Sequence, residues 1–470
     1  MIIDVLTSLF PFKLHMTILQ LEGYSYSRLM SWINNNYFKR EIPVKRALKP
    51  TLKVYSIYLL SIIWLISFSL LIILWTNNLF ISLLILTILI SQPYLFYGLS
   101  LLVIKPVEYL LKFRIINKTK KKILSLNNLE VVGITGSYGK SSTKEILYQL
   151  LKDDFEVLRT PESYNTILGI SKVVGLELNN KYRYFICEMG AFKRGEIKEI
   201  CETVVPDYGL ITGITEQHLE RFGSTKDIVD AKFELFDSVK SANHFVFNLD
   251  SVYIENELFK RKIKKVIGYG IKPGCQVSVS KKSFSKKGSQ FTITINNRNF
   301  RVFTYLFGES NIQNIAAATT MAVLLGLKPK KIVSKISKLR PVPHRCYLQY
   351  FNRTTIVDNT YSTNPLGFMA MLKTAKMVKG RKALVTPGLV ELGEKSGEIH
   401  KELGKLAENI FEKIILVGKN TRTKNIFQSI SKKAMVEFIE DDRITYSTKI
   451  RELEPLFDWI FLENDVTENY

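Results

Sequence analysis

Residues able to handle a phosphate group stand close together between 133 and 143. The run is Gly133-Ile-Thr-Gly-Ser-Tyr-Gly-Lys-Ser-Ser-Thr143. A Gly-rich turn leading into a helix exposes backbone N–H groups at a helix N-terminus, where they cradle phosphate oxygens. In such a loop Gly136, Ser137 and Gly139 form the cradle and Lys140 reaches the outer phosphates. The Ser141 hydroxyl serves a magnesium ion, with Ser142 beside it. Ile134 sits where the strict motif has its first glycine, so Gly133, Gly136 and Gly139 make the tight turn instead. The plain alternative is an ordinary glycine turn beside a solvated lysine.

Two further blocks carry carboxylates and nitrogen donors. Cys187-Glu-Met-Gly190 puts Glu188 at the end of an apolar run, at the strand edge where α/β sheets hold ligands. A carboxylate there is a hard oxygen ligand for Mg²⁺. The second block runs from Ile214 to Ser224 and on to Glu234, and contains His218 and Lys232. Taken singly, His218 reads as a structural histidine and Lys232 as a surface lysine.

These residues need a strand–turn–helix scaffold. Leu129-Glu-Val-Val132 reads as a strand and Lys144–Lys152 as a helix. The apolar runs 184–187, 208–211 and 244–247 read as buried parallel strands separated by helices. Phe291–Ile295 and Phe300–Phe303 flank Asn296-Asn-Arg-Asn299 as an antiparallel hairpin. Helical pattern returns over 311–325. Short strands at 355–357, 383–385, 414–417, 435–438 and 459–462 alternate with helices and predict a second doubly wound unit.

The N-terminal region is different in kind. Val54–Trp75 carries no charge and spans ~33 Å as a helix, against a hydrocarbon core of ~30 Å. Leu79–Ile104 is also uncharged, with Gln92-Pro93 as an expected kink. Only Thr76-Asn-Asn78 separates them, which predicts a transmembrane hairpin. Lys39, Arg40, Lys45, Arg46, Lys49 and Lys53 precede it. Lys105, Lys112, Arg114, Lys118 and Lys120 to Lys122 follow. The positive-inside rule then places both termini and the nucleotide site in the cytoplasm, on a two-helix, multi-pass anchor in the cytoplasmic membrane. Met1-Ile-Ile-Asp4 lacks the basic start of a signal peptide. Ile18, Leu21, Ser25, Leu29, Trp32 and Ile33 share a helical face, read either as an interfacial helix or as one packed on the protein.

Composition fits this division. The 470 residues suggest roughly three domains. A 46% hydrophobic content with formal net charge +23 suits membrane segments and anionic lipid or nucleotide partners. Basic clusters interleaved with aromatics are lacking, so nucleic acid is not an expected partner. The four cysteines show no C-x-x-C spacing, which excludes a disulfide framework and a Cys-based zinc site. The expected division is an N-terminal amphipathic segment 1–53, the hairpin 54–104, a basic linker 105–128, a nucleotide-binding domain 129–344 and a C-terminal α/β domain 345–470.

In order and spacing these blocks resemble the Mur ligase family, most closely its MurF type. The matching residues include the 133–143 loop, Asn165-Thr166, Glu188-Met-Gly190 and His218-Leu-Glu-Arg-Phe-Gly-Ser224. Ala231-Lys232, Gly308 with Asn311 and Asn314, Arg345, Asp358-Asn-Thr-Tyr-Ser-Thr-Asn-Pro365 and Glu391-Leu-Gly-Glu394 with His400 complete them. The resemblance is strong over 129–400.

The resemblance implies an α/β fold with a P-loop central domain bearing a small antiparallel sheet, and a Rossmann-like C-terminal domain. It implies an ATP-dependent amide ligase. Such an enzyme phosphorylates a carboxylate of a cell-wall precursor, UDP- or lipid-linked, and transfers the acyl group to an amino acid or dipeptide. By the same resemblance Lys140, Glu188, His218 and Lys232 are catalytic. Two Mg²⁺ ions lie on Ser141 and Glu188 and on His218 and a carbamylated Lys232. Asn311, Asn314, Arg345 and Asp358 contact the nucleotide. Asn165, Thr166, Tyr361 and Asn364 face substrates.

Several positions depart from the pattern. The family's uridine-nucleotide domain is replaced by the hairpin. Ser310 stands for a histidine, Asn359 for an aspartate, Pro387-Gly-Leu389 for Gly-Asp-Met and Glu463-Asn-Asp465 for Lys-Gly-Ser. The chemistry is thus better marked than the substrate. The other readings are a polyglutamate-type ligase and a non-catalytic nucleotide-binding membrane scaffold.

Overall fold

The computed structural model describes residues 12–36, 48–76, 78–162, 164–215, 222–272, 274–361, 363–390 and 392–464. His218 and Glu391 lie outside the described residues.

The described residues form two compact units, one within 12–114 and the other within 115–464. In the first, helices Phe12–Leu21 and Tyr26–Asn36 are separated by a turn in which Gly23 and Tyr24 both take positive φ. Met16, Leu19, Leu29 and Ile33 pack with Val54, Ile57, Tyr97 and Leu101 in one cluster. Of the N-terminal face that reads equally as interfacial or packed, Ile18, Leu29 and Ile33 are buried and Leu21 is exposed.

Helix Leu52–Thr76 contains the first uncharged stretch. Leu59, Ile62, Ile66, Leu70 and Leu74 point outward along it, and Leu74 is 79% exposed. Water does not reward this arrangement, because burying such side chains is worth ~25 cal/mol per Å².

The second stretch departs from the expected single kinked helix. It breaks into Leu79–Ile90 and Pro93–Leu124. Pro93 lacks an N–H and fits the first helical position, so it starts a new helix rather than bending an old one. A twelve-residue helix is ~18 Å long, short of the hydrocarbon thickness. Among the described residues, the two helices long and apolar enough to cross a membrane are therefore Leu52–Thr76 and Pro93–Leu124. The expected linker 105–128 is helical as far as Leu124, with Pro106 inside the helix.

The second unit holds two sheets. Strands β1 (Glu130–Thr135), β2 (Val157–Arg159), β3 (Tyr184–Glu188), β4 (Tyr208–Ile211), β5 (Phe245–Asn248) and β6 (Ile267–Gly270) are parallel. They continue into β7 (Val277–Ser285), β8 (Gly288–Ile295) and β9 (Arg298–Thr304). The order is β2-β3-β1-β4-β5-β6-β7-β8-β9, so the antiparallel hairpin extends the parallel sheet instead of standing apart.

The second sheet has strands β10 (Tyr347–Phe351), β11 (Thr354–Asn359), β12 (Lys382–Thr386), β13 (Lys413–Val417), β14 (Val436–Ile439) and β15 (Trp459–Glu463). Its order is β10-β11-β15-β12-β13-β14, parallel except at β10. Strands β11 and β15 are buried along almost their whole length, as expected for central parallel strands covered on both faces.

Candidate nucleotide and ligase site

The phosphate loop is the turn between β1 and helix Lys140–Leu151. Gly139, at φ 76, caps the helix N-terminus. A Cβ there would lie 2.5 Å from Asn314 Oδ1, and one at Gly136 would lie 2.2 Å from Thr212 Oγ1. Both positions therefore require glycine. The Ser137 N–H donates to the Gly213 carbonyl (2.7 Å), and its Oγ bonds within the Thr215 backbone (3.2 Å). The loop is thus tied to the end of β4.

Lys140 Nζ donates to the Gly136 carbonyl at 2.8 Å. Burial lowers its pKa and the Arg345 guanidinium lowers it further, opposed by Glu188. An anion entering the loop would relieve both effects.

The topology brings β3 beside β1, with Ile134 paired to Glu188. Ser141 Oγ donates to Glu188 Oε1 at 3.0 Å, and Asn165 Nδ2 reaches the same oxygen at 3.2 Å. Burial alone would raise the Glu188 pKa, but Lys144 and Lys140 hold it below the usual carboxylate value. A carboxylate and a hydroxyl together beside a phosphate loop are the oxygen donors that Mg²⁺ prefers.

Lys232, on helix Thr225–Ser238, is 3% exposed. Burial, with Lys140 adding to it, lowers its pKa to about 7 against the pull of Glu196 and Glu234. Much of it is therefore a neutral amine near neutral pH.

Helix Glu309–Leu324 carries Asn311 and Asn314, both nearly buried. Thr143 Oγ1 approaches Asn314 Oδ1 at 3.4 Å, and Asn311 Nδ2 donates to the carbonyls of Phe307 (2.9 Å) and Arg345 (3.3 Å). Asn311 therefore fastens the start of the C-terminal domain as well as facing the cleft. Arg345 stacks 4.1 Å from the centre of the Tyr361 ring, and burial lowers its pKa. Asp358 is buried and accepts from Thr360 Oγ1 (2.7 Å) and Gln349 Nε2 (3.1 Å), with His344 Nδ1 at 2.8 Å.

One cleft gathers part of this set, and Lys140, Ser141, Glu188, Lys232 and Asp358 are not among its lining residues. Tyr138, Gly139, Ser142, Asn311 and Asn314 line one side, and Arg345, Tyr361 and Asn364 the other. Thr166 and Asn364 also have local work. Thr166 caps helix Ile167–Leu176 through the Gly169 N–H (3.3 Å), and Asn364 caps helix Pro365–Met377 through the Gly367 N–H (2.9 Å).

Two buried residues were not singled out from sequence. Lys144 ion-pairs with Glu188 Oε2 at 3.1 Å, with neither side chain more than 1% exposed. Its place four residues after Lys140, on the same helix face, is the one available signal. Glu463 ends β15 and accepts from Asn359 Nδ2 at 2.9 Å on each oxygen. The sequence marks it only as a departure from pattern.

The described residues thus assemble a phosphate loop, a buried carboxylate and an interdomain cleft. Two sequence families cover them. Residues 134–322 match the Mur ligase middle domain, and residues 344–462 match the domain described as "Mur ligase, glutamate ligase domain". The chain belongs to the Mur ligase family.

Within that family it is a MurF-like, ATP-dependent peptide ligase. The UDP-N-acetylmuramoyl-tripeptide–D-alanyl-D-alanine ligase of Buchnera aphidicola subsp. Baizongia pistaciae is 28% identical, over 71% of this chain and 72% of its own. The Bacillus subtilis enzyme of the same name is 26% identical, over 69% and 68%. In fold, the chain is similar to the Thermotoga maritima MurF ligase solved with ADP. That comparison has TM-score 0.67 and 24% identity, and covers 76% of this chain and 81% of that one. A Mycobacterium tuberculosis folylpolyglutamate synthase shares the fold more distantly, at TM-score 0.58 and 14% identity, over 77% of this chain and 96% of that one.

Proposed function

We propose that the chain is a membrane-anchored ligase that joins a D-alanyl-D-alanine-type dipeptide to a carboxylate of a muramoyl-peptide precursor at the cytoplasmic face. The observation that carries this reading is the meeting of Lys140 and Ser141 on the phosphate loop with Glu188 at the end of β3, with the Arg345 guanidinium close enough to act electrostatically on both Lys140 and Glu188. Activating a carboxylate with ATP transfers the γ-phosphoryl group to a carboxylate oxygen and releases ADP. The donor amine then attacks the acyl carbon, loses a proton and expels inorganic phosphate. Both steps concentrate negative charge, so the protein's main task is to place cations and donors around it.

Lys140 is assigned to the transferring phosphoryl. Ser141 and Glu188 would hold one Mg²⁺, and His218 with Lys232 a second. Bound there, the metal supplies charge neutralisation at the phosphates. Lys232 suits a carbamate, because a buried amine with pKa about 7 has a substantial unprotonated fraction near neutral pH, and that form is nucleophilic toward CO₂. The carbamate turns a cation into an oxygen ligand. Asn311 and Asn314 are assigned to the adenine, Arg345 and Asp358 to the rest of the nucleotide. Asn165 and Thr166 are assigned to the acceptor, and Tyr361 and Asn364 to the donor side. Closure of the C-terminal domain would complete the site.

The membrane location rests on helix Leu52–Thr76, whose apolar side chains face outward, and on basic residues at both flanks. A lipid-linked acceptor fits such an anchor.

ADP release by the detergent-solubilised protein tests the proposal, with Lys140→Ala as control. UDP-muramoyl tripeptide with D-alanyl-D-alanine is offered first, then the lipid-linked equivalent. Stimulation by either supports the ligase reading, and the lipid-linked form alone would explain the anchor. No acceptor-dependent ADP with either substrate overturns it.

A further inference from the structure

Lys144 has no role in the scheme above, although its ammonium is among the most enclosed charges in the chain. The side chain is 0% exposed. It comes off the phosphate-loop helix one turn after Lys140 and meets two acceptors. One is Glu188 Oε2 at 3.1 Å, and the other is the Glu162 carbonyl at 2.5 Å. A buried ammonium needs such partners, since removing it from water is costly.

The two acceptors belong to different parts of the site. Glu188 ends β3 and presents its other oxygen, Oε1, to Ser141 and Asn165. Glu162 lies in the segment after β2 that leads to Asn165, and it holds a positive φ of 41. A non-glycine residue keeps that conformation only where its surroundings fix it. The segment is fixed a second time, by the Gly190 N–H on the Asn165 carbonyl at 2.8 Å. Lys144 therefore fastens one carboxylate oxygen and one backbone carbonyl at once. Only Oε1 of Glu188 is left on the phosphate-loop side, where Ser141 and Asn165 donate to it.

Resting on the ligase reading, we infer that Lys144 is a positioning residue that couples occupancy of the phosphate loop to ordering of the acceptor-facing residues 160–162 and 164–166. The coupling is geometric. Whatever fixes the Glu188 carboxylate from the loop side also fixes Nζ, and through it the Glu162 carbonyl and the chain that carries Asn165. The lysine touches no reacting atom.

The test is hydrogen–deuterium exchange on the full chain in detergent, with and without a non-hydrolysable ATP analogue and Mg²⁺. Calorimetry reports nucleotide binding separately. In the native chain, nucleotide is expected to slow exchange at the phosphate loop and at residues 160–162 and 164–166. In Lys144→Met, affinity for the analogue should stay within about threefold and the loop should remain protected. Protection of 160–162 and 164–166 should be lost, and acceptor KM should rise about tenfold or more with a smaller change in kcat. Lys144→Arg, which keeps a cation, should recover part of that protection. Nucleotide binding that leaves 160–162 and 164–166 unchanged in the native chain overturns the inference, even if the Met variant fails to fold. So does a folded Met variant with undiminished protection and KM. Failure of the native chain to bind nucleotide would overturn the ligase reading instead.

Discussion

Ser141 Oγ and Glu188 Oε1 lie 3.0 Å apart, joining the first turn of the phosphate-loop helix to the end of the neighbouring strand. The contact depends on β3 lying parallel and adjacent to β1, so that Glu188 stands level with Ile134 just before the loop. In the proposed scheme this pair presents adjacent oxygens to one cation, and Lys144 holds the carboxylate from behind.

Glu188→Gln should reduce ADP release by about 10²-fold or more, the usual scale for losing one preorganised charge. The same change deprives Lys144 of its charged partner, so unfolding free energy should drop by about 3 kcal/mol, typical of a broken buried pair. Steady-state assay and urea denaturation read the two effects separately. Full activity in the variant would remove Glu188 from the metal site.

Lys232 has a depressed pKa of about 7. The unfolded chain would protonate this amine up to about pH 10.4. Between those values the unfolded state binds more protons, so stability contributed through this group rises with pH. The neutral fraction, and with it carbamate occupancy, should likewise rise through pH 7. Labelled CO₂ and carbon NMR should show a carbamate resonance that grows from pH 6 to 8 and is missing in Lys232→Ala. That variant should also lose turnover.

Glu463 runs the other way. Burial raises its pKa to about 8, opposed by the Asn359 and Thr363 side chains. The folded state then binds the extra proton between about pH 4.3, the unfolded value, and pH 8. Stability from this group is complete below that window and is lost as pH rises through it. Glu463→Gln should raise the melting temperature at pH 8.5 and flatten its decline from pH 6. The gain should be at least about 1 kcal/mol, since one pKa unit is worth about 1.4 kcal/mol. A variant less stable at pH 8.5 would contradict this account.

Gly139→Ala should abolish nucleotide binding. The position combines φ 76 with an Asn314 oxygen 2.5 Å from the added methyl carbon. Strain at a left-handed position costs about 1–3 kcal/mol, and the methyl group would push the cleft open at the helix N-terminus. Calorimetry with an ATP analogue decides this.

Membrane attachment predicts that the full chain sediments with membranes, resists extraction by high salt and is released by detergent. Replacing Ile62, Ile66 and Leu70 with lysine should abolish insertion, each charge costing about 2.5–3.5 kcal/mol at the helix centre. Release of the unaltered chain by salt alone would contradict the anchor.

Local sequence settled the parts whose cause is local. The 133–143 loop is legible because glycine spacing and a following helix determine where N–H groups point. Helix Leu52–Thr76 is legible because Val54–Trp75 within it is a long apolar run without a charge. Alternation exposed the β8–β9 hairpin. Short or interrupted strands were not legible. β2 has three residues, β6 contains two glycines, and β10 is an edge strand whose tip at Tyr350 and Phe351 is exposed. The break at Pro93 was visible as a proline, but kink and restart differ only in how the chain packs on either side.

Pairings between distant residues were decided by tertiary structure. The types of Ser141, Glu188, Asn314 and Arg345 are written in the chain. Which oxygen faces which cation follows from strand order and helix packing. Lys144 shows this most plainly. In sequence it is one of two lysines on its helix, and only the placement of β3 and the segment after β2 encloses it between Glu188 and Glu162. Burial changes the energy of a charge far more than its residue type does, and burial is a property of the packed chain.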